Sequence, residues 1–218
     1  MANILGSQGP DSYRGSAVAD TFTLLGGNDV VLGLEGEDVI YAGAGNDSAD
    51  AGAGDDVVFG GLGDDNLAGG LGDDNLAGGL GNDVIIGGGG DKGDLTAATY
   101  LPDGNDTIDG GAGADELWGM GGNDRLTGGT EADVFYFGAG EGHDVVMDFT
   151  KGQDGLVLLG PEGFGFNSFD TNRNGVLDNA DVGVTVAQGN TVLDFSAYGA
   201  PSTLTVIGVT NLGAADFF

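Results

Sequence analysis

The chain contains no cysteine and a single histidine, His143, among its 218 residues. The lack of cysteine excludes disulfide bonds, thiolate metal sites and a cysteine nucleophile, and one histidine is too few for the multi-histidine sites of zinc or non-haem iron. The sequence also has no G-x-S-x-G, no H-E-x-x-H and no phosphate-binding loop. Because no second base lies near it in the sequence, His143 is not expected to be catalytic. These absences predict a protein that is not an enzyme.

Positive charge is almost as scarce, with 5 Lys and Arg against 35 Asp and Glu and a formal net charge of -30. Such a charge excludes nucleic acids and anionic membranes as partners. The first residues, MANILGSQGPDSYRG, contain neither a basic nor an apolar segment, and no later stretch approaches the roughly 18 apolar residues of a membrane span. We therefore expect no Sec-type signal peptide and no insertion into a membrane.

Glycine is what the sequence has in excess, with 48 residues, and the glycines follow a nine-residue period. Ten consecutive frames run from Gly6 to Leu95, residues 96–100 interrupt the register, and four more frames run from Leu101 to Tyr136. Position 4 is glycine in 12 of the 14 frames, position 6 is aspartate in 13, and position 8 is a large apolar residue in 12. One apolar residue in nine fits neither an amphipathic helix nor an alternating strand.

The frame resembles the G-G-x-G-x-D-x-U-x nonapeptide of RTX (repeats in toxin) proteins, which are secreted bacterial calcium-binding proteins. The resemblance implies an all-β fold, a parallel β-roll in which positions 1 to 6 form a turn, positions 7 to 9 form a short strand, and two frames complete one coil. The aspartates that it implies as Ca²⁺ ligands are Asp11, Asp20, Asp29, Asp38, Asp47, Asp56, Asp65, Asp74, Asp83, Asp106, Asp115, Asp124 and Asp133. The position-4 glycines whose carbonyl oxygens would join them are Gly27, Gly36, Gly45, Gly54, Gly63, Gly72 and Gly81.

The residue types agree with this interpretation. Carbonyl and carboxylate oxygens on a flexible turn suit Ca²⁺ better than Mg²⁺, which demands a strict octahedron. The position-8 side chains would form only a thin core, and without cations the carboxylates of adjacent turns would repel one another. We therefore expect folding to be coupled to Ca²⁺, with the calcium-free repeats disordered. The tenth frame carries Lys92 and Asp94 at positions 6 and 8, so it is expected to form no complete site, either as a plain break or because Lys92 partly replaces the ion.

The sequence divides into a roll of residues 1–136, with an insertion near 96–100, and a C-terminal β region of residues 137–218 that would cap the last open coil. The segment DTNRNGVLDNAD in the second region matches an EF-hand calcium loop, except that aspartate replaces glutamate at position 12. Its flanks read as strand, which predicts a loop without two helices; the alternative is an unoccupied Asx-rich turn. The implied oxygen ligands are Asp170, Asn172, Asn174, the carbonyl of Val176, Asp178 and Asp181.

The last 37 residues, from Val182 onward, contain no Lys or Arg and end in Asp-Phe-Phe. This segment resembles the uncleaved C-terminal signal of type I secretion substrates, which implies the type I secretion machinery as a partner. An ordinary terminal hairpin is the alternative. The resemblance implies a secreted protein, extracellular or at the cell surface.

Positions 7 and 9 of each nine-residue frame should face solvent. If the frames are numbered from Gly6, even-numbered and odd-numbered frames should lie on opposite sheets. On the even sheet, Val39, Tyr41, Val57 and Phe59 would form one apolar patch, which suggests a contact surface. The patch could pack against the C-terminal region, against a second copy of the chain, or against a cell-surface component.

Together these observations predict a secreted RTX protein that folds on binding Ca²⁺ outside the cell and has a structural, surface-layer, matrix or adhesive role. Roll, flank and signal fill the chain, which leaves no room for a catalytic domain. Two alternatives remain open: the calcium-dependent C-terminal module of a larger extracellular protease or lipase, and an extracellular calcium buffer. The initial Met1 and repeats that begin at Gly6 argue against the first alternative.

Overall fold

The computed structural model describes residues 1–88, 104–138, 140–159, 165–198 and 201–218 of the chain. Most of its ordered elements are short strands, which confirms the all-β prediction. The strands are β1 (Asn3–Leu5), β2 (Ser12–Arg14), β3 (Thr21–Thr23), β4 (Val30–Glu35), β5 (Val39–Ala44), β6 (Ser48–Ala53), β7 (Val57–Leu62), β8 (Asn66–Leu71), β9 (Asn75–Leu80), β10 (Val84–Gly88), β11 (Thr107–Ala112), β12 (Glu116–Trp118), β13 (Arg125–Thr130), β14 (Val134–Gly138), β15 (His143–Val146), β16 (Gly155–Leu159), β17 (Val184–Ala187), β18 (Asn190–Asp194) and β19 (Thr203–Val206). The helical elements are α1 (Phe166–Phe169) and the 3-10 turns Phe195–Tyr198 and Ala214–Asp216.

Consecutive strands alternate between two parallel sheets. The odd-numbered strands β1 to β15 lie side by side in the first sheet, and the even-numbered strands β2 to β16 form the second. In the regular repeats each strand pairs with the strand 18 residues later, as when Val39, Ile40 and Tyr41 pair with residues 57, 58 and 59. Two nine-residue frames therefore complete one coil, which confirms the predicted parallel β-roll.

Most strands of the roll are longer than the three residues that the sequence predicted. Strand β5 continues past position 9 into positions 1 to 3 of the next frame. Pairing resumes at position 2, where Gly43 pairs with Gly61, and both have positive φ, at 112° and 119°. A Cβ atom on Gly61 would overlap the carbonyl oxygen of Gly43. The prediction was wrong because it assigned this glycine to a turn, whereas the repeat needs it for close packing of one coil on the next.

The roll is continuous across the predicted interruption. Strand β9 pairs with β11, and β10 pairs with β12. Paired residues at this point, such as Asn75 and Thr107, are 32 positions apart, about 14 more than in an ordinary coil. The extra residues therefore enter between two halves of a coil and leave the sheets unbroken. Lys92, Asp94 and the segment 96–100 lie outside the described residues.

Position 8 supplies the core, as predicted. Its side chains are at most 3% exposed in twelve frames: Phe22, Val31, Ile40, Ala49, Val58, Leu67, Leu76, Ile85, Ile108, Leu117, Leu126 and Phe135. The core becomes richer in aromatic side chains toward the C-terminus, where Phe137, Phe149, Phe166, Phe169 and Phe195 join the same cluster.

The C-terminal strands extend the sheets past residue 136. Strands β15 and β16 pair in parallel with β13 and β14. Strand β19 then adds in parallel to β15, and β18 and β17 follow in antiparallel order. Residue 136 thus marks a change of repeat register within continuing sheets, and the division into two domains stays a prediction. In the part of the chain that the structure describes, no helix has the length and apolar character needed to span a membrane.

Candidate metal centre

The position-6 aspartates form two ladders, one along each turn edge of the roll. In each ladder, the Oδ1 atom of an aspartate accepts the backbone N–H of the aspartate one coil earlier. Asp65 accepts from Asp47 at 2.8 Å, and Asp83 accepts from Asp65 at 2.8 Å. The same bond recurs for every predicted aspartate from Asp29 to Asp133, at 2.6 to 3.0 Å. The bonds hold all these carboxylates in one orientation.

In eight of these aspartates the second carboxylate oxygen is buried and accepts no hydrogen bond from the described residues. Every predicted aspartate from Asp20 to Asp133 is at most 2% exposed. Their Oδ2 atoms accept no hydrogen bond from any described residue in Asp29, Asp38, Asp47, Asp56, Asp65, Asp83, Asp115 and Asp133. A buried carboxylate oxygen left in this state is costly, so the repetition of the feature calls for a missing partner.

The glycine at position 1 provides space beside that oxygen. A Cβ atom on Gly60 would overlap Oδ2 of Asp65 and would lie 2.6 Å from the carbonyl oxygen of Gly78 in the next coil. A Cβ atom on Gly78 would meet Asp83 and the carbonyl oxygen of Gly110 in the same way. Turns such as those of Gly60 and Gly78 therefore leave a small space where a carboxylate oxygen and a carbonyl oxygen approach each other, a donor set that suits a hard cation.

The seven predicted position-4 glycines lie in the same turns. All have positive φ, from 116° at Gly63 to 138° at Gly81. The N–H groups of six of them donate to the neighbouring coil, as when Gly45 donates to Leu62 at 2.7 Å, but the carbonyl oxygens of all seven accept no hydrogen bond from the described residues. These carbonyl oxygens are therefore free to coordinate a cation.

Burial and mutual repulsion make the ladders unfavourable without a cation. Burial raises the pKa of Asp65 and Asp115 to about 7; hydrogen bonds from the previous coil partly offset this, and neighbouring aspartates raise the pKa further. The same causes, burial first, raise the pKa of Asp56 and Asp133 to about 6.

In the part of the chain that the structure describes, protein cations compensate for little of this charge. Among described residues, the ion pairs are the N-terminal ammonium with Asp20 and Lys151 with Asp216, both at 3.7 Å. Nor do three acidic or histidine side chains meet at one point anywhere in the described ranges. With about one carboxylate per turn, a cation here would have to take backbone carbonyls as further ligands, and Ca²⁺ accepts such mixed oxygen sets.

The predicted EF-hand-like loop also has the expected local geometry. Both carboxylate oxygens of Asp170 accept backbone N–H groups, from Asn174 at 3.1 Å and Gly175 at 3.0 Å. At the other end of the loop, Asp181 accepts from Asn172 at 3.0 Å and Asp178 at 3.1 Å. The six predicted residues thus lie in one closed loop, whose role as a calcium site stays a prediction.

The lowered pKa of Asp181 favours a charged carboxylate in this loop, and the flanks of the loop agree with the sequence prediction. Burial alone would raise the pKa of Asp181, but hydrogen bonds from Asn172, Asp178 and Thr171 bring it below its ordinary value. Gly175, at loop position 6, has φ 83°, as a sharp turn requires. The single helical turn α1 precedes the loop and strand β17 follows it, so the described flanks do not form a helix pair.

Sequence reasoning missed two further members of the ladders, Asp144 and Asp154. The N–H of Asp124 donates to Asp144 Oδ1, and that of Asp133 donates to Asp154 Oδ1, both at 3.1 Å. These aspartates are 4% and 5% exposed. Their spacing is 20 and 21 residues where the regular coil uses 18. A search that allowed a slip of two residues would have found the frame AGEGHDVVM at 139–147.

The apolar patch predicted on the first sheet is present. Tyr41 and Phe59 stack with ring centroids 5.2 Å apart and an interplanar angle of 5°. They are 44% and 42% exposed, and the described C-terminal strands add to the end of the sheet instead of covering its face. Packing of the C-terminal region on this patch, one of the three possibilities raised by the sequence, is therefore wrong for the described residues.

Comparison with protein families finds the RTX calcium-binding nonapeptide repeat over residues 5–40, 32–67, 68–91, 103–135 and 117–146, which together exceed half of the chain. No curated protein matches the chain. Among solved structures, the crystal structure of the extracellular lipase LipA from Serratia marcescens aligns with 19% identity and a TM-score of 0.33. That alignment covers 99% of this chain and 39% of the lipase chain, so this chain spans about two fifths of the lipase.

Proposed function

Because this chain belongs to the family of RTX calcium-binding nonapeptide repeat proteins, we propose that it is secreted, folds into a rigid roll on binding Ca²⁺ outside the cell, and has a structural or adhesive role. The repeats of this family bind Ca²⁺. The observation that carries the proposal is the series of buried Oδ2 atoms along both turn edges, such as those of Asp47, Asp65 and Asp83, that accept no hydrogen bond from the described residues. A divalent cation between coils would neutralise them and tie each coil to the next.

The residues that would hold the ions come from two parts of each turn. The ladder aspartates would supply one carboxylate oxygen each, and the position-4 glycines, such as Gly45 and Gly63, would supply carbonyl oxygens. Asp144 and Asp154 continue the ladders and would extend the sites beyond the regular repeats. The loop from Asp170 to Asp181 would hold a separate ion, coordinated by the six oxygen donors predicted from the sequence.

The proposed role is not catalytic. A rod stiffened by ions and carrying an exposed apolar patch suits a surface-layer, matrix or adhesive component, in which copies associate through Tyr41, Phe59 and their neighbours.

Export by a type I system would use the segment from Val182 onward. The measurement that tests export is the amount secreted by a type I system with and without residues 182–218. Equal secretion of the two forms would contradict the signal assignment.

A second candidate is the calcium-dependent module of a longer extracellular enzyme. The edge strands β1 and β2 pair on one side only, so a preceding domain could dock there. The length of the native open reading frame separates the two candidates. A third candidate function is storage of calcium alone. A calcium buffer would not need the exposed apolar patch.

The assembly proposal is tested by calcium titration followed by light scattering and sedimentation. We expect the wild type to associate when Ca²⁺ is present, and the double variant Val57→Asp with Phe59→Ser to stay monomeric. The matched control is Asn75→Asp with Ala77→Ser, which makes similar changes one coil further along the same sheet and should associate normally. An oligomer of unchanged size in the patch variant would remove self-association from the proposal.

A further inference from the structure

The last eight residues, Asn211 to Phe218, lie between the EF-hand-like loop and the final strand of the roll; we refer to them as the tail. On the loop side, the N–H of Leu177 donates to the carbonyl oxygen of Leu212 at 2.8 Å. Val176 and Gly213 form an antiparallel bridge next to this bond. Leu177 and Leu212 are both fully buried. The tail therefore contacts the loop through backbone pairing as well as through apolar side chains.

On the roll side, the tail covers the edge of the second sheet. Strand β16 is the terminal strand of that sheet. Phe217 forms a parallel bridge with Leu156 of β16, and the N–H of Phe218 donates to the Leu156 carbonyl oxygen at 3.0 Å. The tail thus satisfies backbone groups that would otherwise form an open sheet edge.

Three side-chain contacts hold the tail in this position. Asp216, 1% exposed, accepts the N–H of Gly213 at 2.7 Å and lies 3.7 Å from Lys151 Nζ. Lys151 also donates to the carbonyl oxygen of Asn211. In addition, the ring of Phe217 lies 5.3 Å from that of Phe166 in α1, the helical turn that leads into the loop. The tail consequently touches both the helical turn before the loop and the middle of the loop.

One peptide unit connects the candidate ion site with the tail. The carbonyl oxygen of Val176 is the ligand expected at loop position 7, and the N–H of the same peptide unit is the Leu177 group that donates to Leu212. In a trans peptide these two groups point in opposite directions. An ion bound to the carbonyl oxygen would therefore fix the N–H that the tail uses.

We propose that Ca²⁺ in the loop from Asp170 to Asp181 controls docking of the tail, and through it the closure of the second sheet's open edge. The proposal rests on the proposed function, because it needs an ion in that loop. Without the ion, the carboxylates of Asp170, Asp178 and Asp181 repel one another within one short loop, and the Val176–Leu177 peptide unit loses its fixed orientation. The tail then detaches while the ladder sites keep the roll folded.

Such a coupling must act in both directions. If the ion strengthens docking of the tail by some factor, the tail must strengthen binding of the ion by the same factor. We expect a factor of about 10, within the usual range for coupled sites. This reciprocity separates the proposal from a tail that docks through Lys151 and Phe217 independently of calcium.

The test uses the full chain in saturating Ca²⁺, with the double variant Asp170→Asn and Asp178→Asn. Calcium stoichiometry and amide hydrogen exchange are measured on the same samples. We expect the loss of one bound ion and about tenfold faster exchange in residues 211–218, while residues 57–88 of the roll stay protected. The matched control is Asp194→Asn, the same chemical change outside the loop, which should alter neither quantity.

The possible results distinguish the proposed ion site in the loop from its proposed coupling to the tail. If one ion is lost and the tail keeps its protection, the coupling is overturned and the loop site stands. If the stoichiometry is unchanged, the loop site itself is wrong. Should the variant disturb the roll as well, Lys151→Met tests the coupling from the other side, since it loosens the tail without touching the loop. It should weaken binding of one ion about tenfold, and unchanged affinity would overturn the proposal.

Discussion

The repeat region and the C-terminal region treat buried carboxylates in opposite ways. In the repeats, an aspartate such as Asp65 has one oxygen bonded to the previous coil and the other buried with no partner. In the C-terminal loop, both oxygens of Asp170 and of Asp181 accept hydrogen bonds. The first arrangement leaves a buried oxygen that an outside cation would satisfy, whereas in the second the chain itself supplies hydrogen bonds to both oxygens.

The hydrophobic cores of the two regions also differ, and the core of the roll is the smaller one. The roll stacks one mostly aliphatic side chain per frame, whereas the C-terminal region packs aromatic rings, as in the edge-to-face contact of Phe169 and Phe195 at 5.4 Å. Aromatic side chains bury large areas and stabilise a core beyond their area alone. The comparison indicates that a strictly periodic sequence folds into a regular roll with a small hydrophobic core. In our account, bound ions supply the stability that this small core lacks.

The largest effect should come from adding a methyl group where two coils approach. Gly45→Ala places a Cβ atom onto the carbonyl oxygen of Gly27 at a φ of 132°. Gly189→Ala is the matched control in the C-terminal region, because its φ is also positive, at 87°, but nothing lies near its Cβ position. We expect the control to lose about 1 to 2 kcal/mol from backbone strain alone, and Gly45→Ala to lose roughly 3 kcal/mol or more. Thermal unfolding in Ca²⁺ measures both, and equal losses would contradict tight coil stacking.

A smaller effect should follow from removing one charge from a ladder. Asp65→Asn keeps an acceptor for the Asp47 N–H but removes the charge from the buried oxygen. We expect the midpoint of calcium-induced folding to rise about tenfold, or ~1.4 kcal/mol. Asp64→Asn removes the same charge from the adjacent, exposed position, where the side chain only accepts the Asn82 N–H at 2.9 Å. Calcium titration followed by circular dichroism compares them, and a control that shifts as far as Asp65→Asn would show that only net charge matters.

The smallest effect concerns pH, and its sign should depend on calcium. Since burial raises the pKa of Asp65 and Asp115 to about 7 from 3.8, the calcium-free roll binds more protons than the unfolded chain between these values. Its stability must therefore increase as pH falls through this window and decrease as pH rises. With Ca²⁺ present, acid protonates the proposed ligands and releases the ion, so stability should decrease as pH falls. Strand signal followed from pH 7 to about pH 5, in chelator and in Ca²⁺, should change in opposite directions. Changes of the same sign in both would contradict the assignment.

The nine-residue period predicted most of the roll because every regular frame repeats the same information. It predicted the buried position 8 and the series of position-6 aspartates, and the resemblance that it carries implied the coil of two frames. It missed the full strand length, since the role of the position-2 glycine, as at Gly61, depends on contact with the next coil. It also missed Asp144 and Asp154, because a slip of two or three residues hides them from a search with fixed period.

The C-terminal region could be predicted only where the signal was local. The loop from Asp170 to Asp181 is encoded within 12 consecutive residues, and the structure shows them hydrogen-bonded into one closed loop, whose calcium binding stays a prediction. The position of the tail depends on contacts between residues far apart in sequence, such as Lys151 with Asp216 and Leu177 with Leu212. Composition and spacing contain no information about such pairings.

The central claim is that Ca²⁺ between stacked aspartate turns is what holds the roll together. Amide hydrogen exchange of the full chain, measured in EGTA and again after Ca²⁺ is restored, tests it most directly. The account predicts that the amides of strands β3 to β10 lose protection in EGTA and regain it with Ca²⁺, together with the strand signal in circular dichroism. Protection of those strands that persists unchanged in the chelator would contradict the claim.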